Sequence, residues 1–159
     1  MRIIGVDPGT ATTGFGVIEH DHGKYRFVDA GVITTPPDQP MHERLVTIHE
    51  ELRQVIAEVK PDAAAVELLY FATNVTTAMT VGQARGVILL TLAEAGLTPF
   101  EYTPMQIKQA VTGYGGAKKP QIQEMVRVLL KLPQIPKPDD AADGLAIAIT
   151  HANQLKISL

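Results

Sequence analysis

The sequence predicts a single α/β domain, residues 1–159, built on a mixed five-stranded sheet flanked by helices. Three observations carry that expectation. Three strand-type runs open the chain with no helix between them, and helical and strand patterns alternate afterwards. Two of the apolar runs end on a carboxylate, Asp7 and Glu67. A chain of 159 residues with 45% apolar content suffices for one sizeable core and is short for two.

The first run, Arg2 to Asp7, turns at Pro8-Gly9, and the chain re-enters an apolar run at Gly14. A strand that leads into such a turn delivers its last side chain to the rim of the sheet. Asp7 can there face solvent, metal or substrate while both flanking strands stay buried. The small and hydroxyl-bearing residues between Pro8 and Gly14 suit a phosphate-cradling turn, or a hairpin turn that Asp7 caps.

Gly14 to Glu19 and Tyr25 to Thr34 read as two further strands, joined at His20-Asp-His-Gly23 into an antiparallel meander. Prolines 36, 37 and 40 break the sheet. Met41, Leu45, Ile48, Leu52, Val55 and Val59 then recur at spacings of four and three, the stripe of one long helix that Lys60-Pro61 stops. Ala63 to Val66, ending on Glu67, reads as a buried strand parallel to the first.

From Val75 to Ala95 the chain is apolar nearly all round, which predicts a helix buried on more than one side, by the core and by a second subunit. Leu97 to Tyr102 is the last strand, and Thr103-Pro104-Met-Gln106 is a capping box that opens a helix ending at Gly113. The loop from Gly113 to Lys119 is glycine-rich and basic, with one aromatic, Tyr114. Pro120 opens another amphipathic helix (Ile122, Met125, Val126, Leu129, Leu130), and Asp139-Asp140-Ala-Ala-Asp143 starts the last one.

Charge is segregated. The net charge is −3, yet six cations face one acid between Met105 and Lys137, predicting a basic face suited to phosphate on an acidic body. No cysteine is present, which excludes disulfides, thiolate metal sites and cysteine nucleophiles. No run approaches the ~20 apolar residues of a membrane span. The N-terminus enters a strand directly, so a cytoplasmic protein is expected.

Asp140 and Asp143, three apart at a helix start, project from one face, and Asp139 reads as the cap. With Asp7 and Glu67, four carboxylates meet at one rim, where like charges repel unless a cation sits between them. Oxygen-only ligands favour Mg²⁺, with Mn²⁺ as a substitute, and such clusters serve two-metal phosphoryl transfer. The five histidines fit no metal-ligand spacing and read as surface residues. No motif for a side-chain nucleophile occurs.

Gly5-Val-Asp-Pro-Gly-Thr10, Thr13-Gly-Phe-Gly16 and Val66-Glu-Leu-Leu-Tyr-Phe-Ala-Thr-Asn74 together resemble the RuvC family of Holliday-junction resolvases. So do Gly82-Gln-Ala-Arg-Gly86, Gly113-Tyr-Gly-Gly-Ala-Lys-Lys119 and the run from Asp140 to His151. The resemblance spans essentially the whole chain, in order. It implies a ribonuclease-H-like fold, a homodimer and paired Mg²⁺-dependent nicks in a four-way DNA junction during recombination and repair. Two Mg²⁺ per site fall on Asp7, Glu67, Asp140 and Asp143, the implied catalytic residues. DNA contacts fall on Lys108, Lys118 and Lys119, on Asn74 and Arg85, and on Tyr70 or Phe71 as a wedge at the crossover. Branch-migration motor proteins are the implied partners. Gly144 stands where alanine is usual, a softening of the helix start worth ~1 kcal/mol.

Three other readings compete with this one. An actin-like or sugar-kinase-type ATPase half needs a second Asp-Gly-Thr phosphate loop and an adenosine-binding glycine pair in another domain, and this chain offers neither that loop nor the length. A non-catalytic junction-binding protein is expected to lack one of the four acids. A related nuclease acting on RNA or other branched substrates keeps them all and stands as the alternative: the basic loop and aromatic wedge favour branched DNA, but neither reads out a 2′-hydroxyl that would separate DNA from RNA.

Overall fold

The computed structural model describes residues 1–69 and 74–157. The opening meander consists of β1 (Arg2–Asp7), β2 (Thr12–Asp21) and β3 (Lys24–Thr34), followed by α1 (Met41–Val59) and β4 (Ala63–Glu67). Next come α2 (Val75–Glu94), β5 (Pro99–Tyr102), α3 (Pro104–Thr112), α4 (Lys119–Leu129) and α5 (Asp139–Ile157). The strands form one sheet in the order β3-β2-β1-β4-β5. β1 pairs antiparallel with β2 and parallel with β4, so the sheet is mixed, as expected. This is the ribonuclease-H-like α/β fold.

Alternation along the strands sorts their side chains between two helical layers. Ile4, Val6, Phe15, Val17, Ala64 and Val66 face α1 and α2, packing with Ile48, Leu52, Ile88 and Leu92. Ile3, Ile18 and Ala65 face α5, with α3 and α4 packed beside it. Leu145, Ile147 and Ile149 of α5 are fully or almost fully buried. Each such side chain contributes about 1.5–3 kcal/mol by leaving water.

Glycines set how closely α5 lies on the sheet. A Cβ on Gly5 would sit 2.2 Å from the Gly144 carbonyl oxygen, and one on Gly16 would sit 2.3 Å from the Leu145 nitrogen. From the helix side, a Cβ on Gly144 would meet the Phe15 carbonyl carbon at 2.4 Å. Gly144 is therefore no softening of the helix start, as the sequence suggested. Alanine there would strike backbone on β2.

Local signals hold where they were specific. Gln106 N–H donates to Thr103 Oγ1 at 3.2 Å and Thr103 N–H donates to Gln106 Oε1 at 2.8 Å, the expected capping box. Three other expectations change. β2 starts at Thr12 and β5 at Pro99, both displaced from the sequence reading. Asp139 is the first residue of α5 and not its cap, with Ala141 N–H donating to the Pro138 carbonyl. α2 buries only Ala84, Ile88, Thr91 and Leu92, while Val75, Met79, Gly82, Gly86 and Leu90 are exposed. By length and composition α2 is also apolar enough to cross a membrane, contrary to the sequence reading. Its buried side is nonetheless built into the sheet layer.

Candidate active site

Asp7 and Glu67 are the last residues of neighbouring parallel strands, one step beyond the paired Val6 and Val66. Both point to the α5 face by the two-residue period of the strands. Across the other edge of β1, Asp7 pairs with Gly14. No side chain occupies that place on β2, and the first turn of α5 fills it. A Cβ on Gly14 would lie 2.0 Å from the Asp140 carbonyl oxygen. The glycines of β1 and β2 thus bring two helical acids to the ends of two strands.

The result is a compact acidic cluster. Asp7, Asp140 and Asp143 each offer a carboxylate oxygen, and these oxygens lie within 4.8 Å of one another. Glu67 is not among these three; it adjoins them through its interaction with Asp7. Burial pushes the Asp7 carboxyl from 3.8 up to about 9, with its hydrogen bond to Glu67 and the charges of Glu67, Asp143 and Asp140 adding to the rise. Burial also raises Glu67, aided by Asp143 and opposed by its hydrogen bond to Asp7 and by the charges of Lys108 and Lys119. Asp143 is raised by burial against the pull of Lys119. A group of carboxyls under this strain is a cation site by its chemistry: hard oxygen donors, crowded and partly dehydrated.

Lysines rim the cluster. Lys119 Nζ is 3.6 Å from Asp143 Oδ2 and 3.7 Å from Asp139 Oδ2. Lys137 Nζ is 4.0 Å from Asp139 Oδ1, so Asp139 sits between two cations. Burial works to lower the Lys119 ammonium, but Asp143, Asp139 and Asp140 prevail and raise it. A cavity of about 310 Å³ opens between the acids and the basic segment, lined by Glu67, Asp143, Lys108, Lys118 and Lys119, with Ile107 and Ala146 among its apolar walls.

The remaining sequence-selected residues divide. Asn74 caps α2, its Oδ1 accepting from Thr77 N–H at 3.2 Å. Arg85 is half-buried and ion-paired with Glu101, which ties α2 to β5. Tyr70 and Phe71 lie outside the described residues.

One histidine departs from its surface reading. His151 is 2% exposed, its Nδ1 is 2.8 Å from the Tyr102 hydroxyl, and its ring lies 4.5 Å from Phe100. Burial lowers the imidazole and raises the phenol, so both stay neutral. Tyr102 is the register partner of Glu67, and this pair braces the strand end that carries the acid. The sequence signal was the run Leu145 to Ala152, whose only polar members are Thr150 and His151. Lys137 was counted in the basic stretch but not placed at the site; only the fold brings it to Asp139.

The model of the family described as crossover junction endodeoxyribonuclease RuvC matches residues 3–151. A relative of that name from Chloroflexus aggregans is 59% identical over 152 residues, covering 96% of this chain and 93% of the relative. A Thermus thermophilus RuvC structure superposes with a TM-score of 0.90 at 38% identity, covering 99% of this chain and 97% of that one. T. thermophilus RuvC in complex with a Holliday junction substrate also gives a TM-score of 0.90, at 36% identity and covering 99% and 96% of the two chains.

Proposed function

The chain belongs to the RuvC family of crossover junction endodeoxyribonucleases, and from that membership we infer that its acidic cluster cuts phosphodiester bonds in four-way DNA junctions. The observation that carries the assignment to a site is the convergence of carboxylate oxygens from Asp7, Asp140 and Asp143 within 4.8 Å. Glu67 completes the set through Asp7.

The residues fit divalent cations, and we propose two Mg²⁺ per site, with Mn²⁺ as a substitute. Asp7 and Glu67 would hold them from the strand ends, Asp140 and Asp143 from one turn of α5. What such ions supply when bound is a hydroxide nucleophile at neutral pH and charge neutralisation at the leaving oxygen. The protein's own residues do the rest. Lys108, Lys118 and Lys119 attract the phosphate backbone towards the acids, which would otherwise repel it. Asp139 restrains Lys119 at the rim, and the carbon-lined wall of Ile107 and Ala146 limits water around the reacting phosphate.

A junction requires two cuts at symmetric positions, and one site reaches only one strand. A two-fold homodimer supplies the second. The exposed stripe Val75, Met79, Gly82, Gly86 and Leu90 on α2 supports that arrangement, since it repeats at close to helical spacing opposite the buried face. We further propose a cytoplasmic location, which a DNA substrate supports, and delivery of the junction by branch-migration motor proteins.

The deciding experiment offers the protein end-labelled four-way and linear duplex DNA with Mg²⁺. Paired nicks at symmetric positions on the junction alone are expected. Equal cutting of linear duplex would overturn the assignment.

A further inference from the structure

Tyr114 is 65% exposed, yet it is held in place. Its carbonyl accepts from Ala117 N–H at 3.1 Å, and its own N–H donates to Thr112 Oγ1 at 3.2 Å. Gly113 adopts a left-handed φ of 77°, and its carbonyl accepts from Gln109 Nε2 at 3.1 Å. Ala117 is 3% exposed and anchors the turn in the protein. The ring lies over Gly116 so closely that a Cβ there would come 2.6 Å from Tyr114 Cζ. A rigid loop therefore presents an aromatic ring that buries little of its own surface. The acidic cluster and the lysines around it make no use of this ring.

Beside the ring runs a groove of about 480 Å³, walled by Tyr114, Ala117, Pro120 and Met125, with Gln121 and Glu124 at its polar edge. Ala117 lines both this groove and the catalytic cavity, so the two adjoin at the same loop. Their chemistry differs. The cavity is lined by Lys108, Lys118 and Lys119, whereas the groove lining holds no lysine or arginine. Glu124, whose carboxylate is held by Arg127 at 2.6 and 3.0 Å, lies at its edge as a compensated ion pair. A phosphate finds lysines in the cavity lining and no cation in the groove lining. An uncharged flat ring fits the groove, because it stacks on an aromatic face and its amino groups suit a carboxylate or an amide.

We propose that this groove is a nucleobase subsite in which Tyr114 stacks on an unpaired base of the cleaved strand close to the cut bond. The proposal rests on the junction-cutting function and names a further contact of that site. A strand whose phosphate occupies the lysine-lined cavity passes over the loop at Lys118 and Ala117, and its neighbouring base then meets Tyr114. Stacking on a held ring costs little ordering, because the loop is fixed before DNA arrives. The base would have to leave its own stack, which is easiest at a branch point where pairing is interrupted.

The test uses junctions carrying 2-aminopurine at single positions around the cleavage point, with EDTA present so that binding is read without cutting. Wild-type protein is expected to change the fluorescence at one such position. Tyr114→Ala should abolish that change and weaken junction binding about ten-fold, while Tyr114→Phe keeps both. Gly116→Ala displaces the ring and should behave like Tyr114→Ala, with a melting temperature showing that each variant folds. Retention of the fluorescence change and affinity in Tyr114→Ala overturns the proposal, as does equal loss in Tyr114→Phe. Cutting of the junction by the wild type with Mg²⁺ is scored separately, so failure of the subsite is distinguishable from failure of the function.

Discussion

Gly14 on β2 lies directly against Asp140 on α5: a Cβ on the glycine would come 2.0 Å from the aspartate's carbonyl oxygen. The same glycine is the register partner of Asp7. One missing side chain therefore fixes the distance between two acids far apart in the sequence. Gly14→Ala sets carbon against backbone, which yields less readily than a flexible side chain. A cost at the upper end of about 1–3 kcal/mol is expected. Thermal unfolding should register it as a loss of several degrees. Cleavage should fall further than stability, because α5 must retreat from Asp7. An unchanged melting temperature would mean that α5 does not approach β2 so closely.

The acids themselves give the second prediction. Asp7→Asn, Glu67→Gln, Asp140→Asn and Asp143→Asn should each abolish nicking while leaving junction binding intact or tighter, since each removes an oxygen ligand for the metal, adds no negative charge facing the polyanion and leaves the lysines in place. Gel-shift and nicking assays on the same preparations separate the two effects. Normal cleavage by Asp140→Asn would break the assignment and turn attention to Asp139.

The third concerns pH in protein stripped of metal by EDTA. The folded Asp7 carboxyl sits at about 9 against an ordinary 3.8, so between those values the folded state keeps a proton that the unfolded chain releases. The stability associated with that proton is fully present below 3.8 and is lost as pH rises towards about 9. Glu67 and Asp143, also raised, act in the same direction. The melting temperature of stripped protein should fall from pH 5 to pH 9. Asp7→Asn should flatten the fall, and Mg²⁺ should restore stability at the alkaline end. A rise over that range would contradict the burial of these acids.

The acids were legible in the sequence because their positions follow from one-dimensional rules. A strand end places Asp7 and Glu67 at a rim, and a three-residue spacing places Asp140 and Asp143 on one helical face. What brings the two pairs together is three-dimensional. Gly14, Gly16 and Gly144 act by what they lack, and a missing Cβ gives no periodic signal; Gly144 in isolation looked like a defect in a helix. His151 was misread for a related reason. A histidine outside any ligand spacing is ordinarily exposed, but α5 packs along the sheet and passes under β5, where Tyr102 supplies a hydroxyl. The high apolar content of α2 was visible, whereas which of its faces the sheet and α1 cover is decided by tertiary packing.

The fourth prediction separates the lysines. Lys108→Ala and Lys118→Ala should weaken binding to junctions of any sequence and lower the salt dependence by about one each. Lys119→Ala should do the same and also leave Asp143 without its 3.6 Å cation. It should therefore lower the stability of metal-free protein, as Lys108→Ala should through Glu67, whereas Lys118→Ala leaves it unchanged. An unchanged salt slope in the triple variant would move the DNA path off this surface.

The last prediction concerns assembly. Val75, Met79, Gly82, Gly86 and Leu90 form an exposed stripe on a helix whose opposite side is buried. Among the described residues, nothing lies within 4 Å of a Cβ added at Gly82 or Gly86, so a side chain there has open space around it. Small residues at that place let a second helix approach closely, as in close-packed helix pairs. A buried apolar face and an exposed one respond differently to a charge. Gly82→Arg should leave the fold intact, because the space is open, and should separate the protomers, because a guanidinium cannot be buried unpaired between them. Ala78→Arg, which is half-buried, tests the same surface with some added cost to the fold. Sedimentation should show wild-type dimer and Gly82→Arg monomer with equal melting curves in dilute solution. The monomer should nick one strand poorly and never resolve the junction. Wild-type protein that sediments as a monomer at micromolar concentration, with and without junction DNA, would refute the two-fold arrangement and leave the α2 stripe without this role.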